Sequence, residues 1–79
     1  MEIEIVRNHV VAAIAEVLGV YPEAVVEIIE EGMGEHLDSL DMVEVIMILD
    51  EKVDHSLDAE GDYLDKSINE FIECVAENC

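Results

Sequence analysis

The chain has 79 residues, 52% of them hydrophobic, and carries 21 acidic against 3 basic side chains, a formal charge of −18. That length allows one small domain, residues 1–79, with a modest core. The charge excludes nucleic acid as a partner, since binding phosphates needs a basic footprint, and favours basic protein surfaces or divalent cations.

Residues 2–18 form the first predicted helix. Ile3, Val6, Val10, Ile14 and Val17/Leu18 recur at helical spacing with Ala13 beside them, while Glu2, Glu4 and Glu16 fall largely elsewhere. Gly19 is the natural stop, and Pro22 beyond it forbids simple continuation. Pro22 then suits the first position of a helical turn, which would turn Val25, Ile28 and Ile29 toward the core. The stretch Gly32-Met33-Gly34-Glu35-His36 reads as irregular.

The second main helix covers residues 39–54. At ~100° per residue, Met42, Ile46, Leu49 and Val53 form a tight core stripe. Nearly opposite stand Asp41, Glu44, Ile48 and Glu51, with Leu40 and Met47 on one rim. Apolar residues set among carboxylates on an outer face make a docking surface. Residues 55–66 offer Leu57, Tyr63 and Leu64 as anchors, with a short third helix expected after Asp58, weakened by Gly61. Ser67-Ile68-Asn69-Glu70 is a capping box, and Ile68, Phe71, Ile72 and Val75 give the last helix one apolar face. Strand patterns are absent, so the expected fold is all-α: a small irregular four-helix bundle of three main helices and one short one.

The stretch that concentrates chemistry is Leu37-Asp38-Ser39-Leu40-Asp41. Asp38 suits the N-cap, with Asp41 three residues on as a relative of the capping box. Ser39 then falls in the first turn, beside unpaired backbone N–H groups and the positive end of the helix dipole, which favours a phosphate.

Asp38-Ser39-Leu40, followed by Asp41, Val43 and Glu44 and preceded by Leu18-Gly19-Val20 at the matching distance, resembles the acyl carrier proteins over nearly the whole chain. The resemblance implies that Ser39 receives 4′-phosphopantetheine from coenzyme A, whose thiol then carries acyl groups as thioesters. It also implies that Asp38, Leu40 and Asp41 help a phosphopantetheinyl transferase (holo-carrier synthase) recognise the chain. The face of Asp41, Glu44, Met47, Ile48 and Glu51 would be read by basic patches on acyl-transferring and ketosynthase-type enzymes. The core between the second and the short third helix would shelter the acyl chain. The pre-motif loop departs from the family pattern: Glu31 and Glu35 stand where apolar residues are usual, so Ile29, Met33 or Leu37 must supply the missing burial.

Other chemistries fit less well. A hydrolase using Ser39 as nucleophile needs a base and a group that orients it, and His9, His36 and His55 build no relay. The chain is therefore expected to be a substrate of a transferase and not an enzyme. Asp54, Ser56, Asp58, Asp62 and Asp65 can be laid on a calcium loop, but Ala59 replaces the turn glycine and Asp65 the longer bidentate glutamate. A weak calcium-binding module, or an acidic helical adaptor without a prosthetic group, is the alternative. Cys74 and Cys79 fit no metal or redox spacing and are expected as free thiols. Met1-Glu2-Ile3-Glu4 has no basic leader character and no apolar run reaches ~18 residues, so a cytoplasmic monomer without a membrane span is expected.

The charge itself generates a measurable expectation. Self-repulsion at −18 on so small a core should be relieved by salt and by divalent cations bound to the folded state. The thermal midpoint at low ionic strength should rise with either addition; a midpoint indifferent to both contradicts this.

Overall fold

The computed structural model describes residues 2–52 and 63–77. Among these residues the order is α1 (Ile3–Leu18), α2 (Pro22–Glu27), α3 (Met33–His36), α4 (Ser39–Lys52) and α5 (Ile68–Ala76), without a strand. The small all-α bundle holds, with three main helices as expected. Two short helices lie between α1 and α4. The expected short helix after Asp58, with Leu57, lies outside the described residues, as do Val53 and all of the calcium-loop positions except Asp65.

α1 is the spine, packing against α2, α4 and α5. No glycine or proline interrupts it, and its buried side chains are small or β-branched: Val6, Val10, Val11, Ala13, Ile14 and Ala15. Ala15 lies about 180° round the helix from Val6 at 100° per residue. The helix is thus buried on opposite sides at different heights, and not along the single expected stripe. Ile3, expected on that stripe, is 48% exposed at the helix start. α1 ends where Gly19 takes a left-handed φ of 72°. The N–H groups of Gly19 and Val20 both donate to the Ala15 carbonyl, at 2.9 and 3.0 Å. Only glycine adopts that conformation without a steric penalty. Pro22 then opens α2, and Val25 is its buried residue.

α4 buries Met42, Val45, Ile46 and Leu49. Val45 widens the expected stripe to one side. Ile48, expected nearly opposite the core, is half-buried and packs against it. The reason is the shift of the buried arc toward Val45, which brings Ile48 onto its edge. α5 buries the expected Ile68, Phe71, Ile72 and Val75. Ser67 Oγ accepts from the Glu70 N–H at 3.1 Å while Glu70 Oε1 accepts from the Ser67 N–H at 2.8 Å, completing the expected capping box. The rings of Phe71 and buried Tyr63 meet edge to face, with centroids 5.1 Å apart. Cys74 is disulfide-bonded, which corrects the expectation of a free thiol; Cys79 lies outside the described residues.

No polar or charged side chain among the described residues is buried. The core is therefore apolar throughout among these residues, and truncation at its centre is the sharpest perturbation. Ile14 is fully buried on α1, whereas Ile5 on the same helix is 48% exposed. Ile14→Ala should cost about 2–5 kcal/mol of unfolding free energy, and Ile5→Ala about 0.5 kcal/mol or less. Urea unfolding followed by circular dichroism checks the contrast; equal losses contradict the assignment of the core.

Candidate functional site

The site is the start of α4, and its geometry begins in the loop before it. The Met33 N–H donates to the Lys66 carbonyl at 2.8 Å and the Gly34 N–H to the Leu64 carbonyl at 3.2 Å. In the other direction, the Ile68 N–H donates to Glu31 O at 3.0 Å and the Asn69 N–H to Ile29 O at 2.8 Å. These four bonds, with an isolated antiparallel bridge between Gly32 and Ser67, fasten residues 29–34 to residues 64–69. The stretch expected to be irregular is consequently an ordered turn, α3, with Met33 buried beneath it. Gly34 suits this close approach: a Cβ added there would stand 3.0 Å from the Leu64 carbonyl oxygen, a tight contact. Two side-chain contacts of the loop are local. Glu35 Oε2 accepts from the Gly32 N–H at 2.9 Å, and His36 Nε2 lies 2.8 Å from Glu31 Oε1.

Leu37 is buried and extended, and it anchors the chain as it enters α4. Of the three residues expected to supply burial in this loop, Met33 and Leu37 are fully in the core and Ile29 packs against it in part. Asp38 is then the N-cap. Its carbonyl accepts from the Met42 N–H at 3.0 Å, and its Oδ1 accepts from the Asp41 N–H at 2.8 Å. Asp41 Oδ2 returns the bond by accepting from the Asp38 N–H at 3.3 Å. The two carboxylates thus form the reciprocal box expected of them, each satisfying one backbone donor at the helix start.

Ser39 is the first helical residue and is exposed, as is Leu40 at 74%. The hydroxyl bearer therefore stands on the surface, on a turn whose backbone is held by the cap on one side and buried Leu37 on the other. First-turn N–H groups and the dipole make this a favourable place for a phosphate ester. The other residues of the expected docking face divide. Asp38 and Asp41 are engaged in the cap. Glu44, Met47, Ile48 and Glu51 line a groove of about 380 Å³ whose other wall is Glu16 and Val17 of α1. Sequence reasoning missed Glu16 and Val17, because nothing local marks two α1 residues as neighbours of α4.

His36 faces Glu31, and His9 lies half-buried on α1. His55 lies outside the described residues. Among the described residues no three His, Cys, Asp or Glu side chains cluster as a metal site. None of the helices is long and apolar enough to cross a membrane, again among the described residues. Comparison with protein-family models, curated proteins and solved structures finds no match to this chain.

The cap geometry separates two neighbouring substitutions. Asp38→Ala removes the acceptor for the Asp41 N–H and should lower stability by about 1 kcal/mol. Ser39→Ala, at an exposed first-turn position, should change it by about 0.5 kcal/mol or less. Chemical denaturation of both variants tests this, and a loss on Ser39→Ala as large as that on Asp38→Ala contradicts the assigned cap.

Proposed function

We propose that the chain is an acyl carrier protein in which Ser39 bears 4′-phosphopantetheine. The observation that carries the reading is the exposed Ser39 hydroxyl on the first turn of α4, inside Asp38-Ser39-Leu40 and beneath the Asp38/Asp41 cap. A long group attached there meets no buried surface. The residues fit the group chemically: a primary hydroxyl to esterify, and a helix start whose backbone donors favour phosphate. The bound group supplies a thiol that holds acyl chains as thioesters.

The chain's own part is to present Ser39 to other enzymes. A phosphopantetheinyl transferase supplies the base and magnesium. The Ser39 oxygen bonds to the phosphorus bearing the pantetheine, the pyrophosphate bond of coenzyme A breaks, and adenosine 3′,5′-bisphosphate leaves with the electron pair. Leu40, exposed beside the serine, is the apolar contact for that enzyme. Acyl-transferring and ketosynthase-type enzymes with basic patches are the later partners, drawn to the acidic surface by charge and read through Glu44, Met47, Ile48 and Glu51. Tethering raises the effective concentration of the cargo at each docked active site. The chain acts as carrier, not catalyst, and works in the cytoplasm. An acidic adaptor or a weak calcium-binding module without an arm is the competing function.

Incubation with coenzyme A, magnesium and a phosphopantetheinyl transferase should add one phosphopantetheine to the chain, mapped to the peptide of Ser39 by mass spectrometry. Ser39→Ala should stay unmodified. An arm on Ser56 or Ser67, or a modified Ser39→Ala chain, refutes the assignment; complete resistance to several transferases favours the adaptor.

A further inference from the structure

Two helix starts in this fold satisfy each other. Met33 and Gly34 open α3, and their N–H groups donate to the carbonyls of Lys66 and Leu64. Ile68 and Asn69 open α5, and their N–H groups donate to the carbonyls of Glu31 and Ile29. Such first-turn donors have no partner within their own helix. Each start here takes its acceptors from the stretch that leads into the other. The two N-caps, Gly32 and Ser67, are themselves the bridged pair. Side chains close both turns in the same way, Glu35 on the Gly32 N–H and Glu70 on the Ser67 N–H. With four residues, α3 is far shorter than an isolated helix needs, so it stands only while residues 64 and 66 hold it.

We propose that residues 29–37 and 64–70 form a reciprocal latch that opens as one unit while α1, the body of α4 and the rest of α5 stay packed. Reciprocity makes the opening all-or-none. Releasing residues 64–66 takes the acceptors from α3, and releasing residues 29–31 takes them from α5, so neither half persists alone. Exposure separates the latch from the core. Gly34, Glu35 and Glu70 are exposed and Lys66 and Ser67 half-buried, whereas Val10, Ile14 and Ile46 are buried. Backbone bonds so close to water belong to the segments that open first. Buried Met33, Leu37 and Ile68 are the side chains that hold the latch shut. Opening reaches Ser39 by a short path. The Leu37 N–H donates to the Met33 carbonyl at 2.9 Å, and the next residue is Asp38, which holds the Asp41 and Met42 N–H groups. Melting α3 therefore frees the N-cap of α4, and a change at the start of α5 is felt at Ser39. The latch belongs to the unmodified chain and operates whatever Ser39 carries.

Native-state amide exchange of the full, unmodified chain, read by NMR where rates report the opening equilibrium, tests this. The Met33, Gly34, Ile68 and Asn69 amides should share one opening constant within about twofold, at least about tenfold larger than that of Val10. Ser67→Ala removes the acceptor of the Glu70 N–H, on the α5 half alone. It should speed all four amides, and those of Asp41 and Met42, about fivefold. Glu35→Ala, on the other half, should speed Ile68 and Asn69 as much as Met33 and Gly34. Glu35→Gln keeps a side-chain carbonyl and should restore the rates. Ile14→Val trims the core outside the latch; it should speed Val10 about fivefold and the latch amides less than about twofold. A response to Ser67→Ala confined to α5 overturns the reciprocal latch, and silence at Asp41 and Met42 overturns its reach to Ser39. Equal acceleration of latch and core by Ile14→Val would mean that these amides exchange only on global unfolding, which also overturns the proposal.

Discussion

The backbone bonds between residues 29–34 and 64–69 are what the candidate site depends on. They are few, each contributing about 0.5–1.5 kcal/mol net, yet they connect both ends of the functional architecture. On one side they hold α3, through which Met33 and Leu37 enter the core and set where α4 begins. On the other they lead into the Ser67–Glu70 box that starts α5. The start of α4 is consequently fastened by backbone bonds and buried side chains although Ser39 itself is exposed. The acidic loop residues Glu31 and Glu35 are accommodated because each finds a local donor, His36 and the Gly32 N–H. Burial comes from Met33 and Leu37 instead.

The second constraint is charge. A chain with 21 acidic and 3 basic side chains cannot satisfy its carboxylates by pairing. The fold keeps them at the surface, with no polar or charged side chain buried among the described residues. α1 makes that possible, since small side chains let it be packed from several directions while Glu4 and Glu16 remain outside. On the proposed carrier reading, the same charge also selects partners. Where carboxylates surround exposed apolar atoms, as on α4, attraction and contact area coincide.

Much of this was legible in the sequence where physics is local. The α1 and α5 boundaries follow from Gly19, Pro22 and the Ser67-x-x-Glu70 box, and the α4 cap from Asp38 and Asp41, because capping uses residues three apart. Other features were not legible, three of them at the candidate site. The ordered turn at 33–36 depends on carbonyls of residues 64 and 66, which no local pattern shows. Ile48 moved from the outer face to the edge of the core because α4 buries Val45 as well as the expected stripe. The groove wall of Glu16 and Val17 exists only once α1 lies against α4. Each of these three depends on contacts distant in sequence, and periodicity within one helix carries no information about its neighbours.

The carrier reading is tested most directly by the chain as its own cell makes it. Intact mass and peptide mapping of the protein isolated from native cells should find a phosphopantetheine on the peptide containing Ser39. A further fraction should carry an acyl mass that hydroxylamine removes, as a thioester requires. An unmodified Ser39 peptide in protein recovered from actively growing cells would contradict the account.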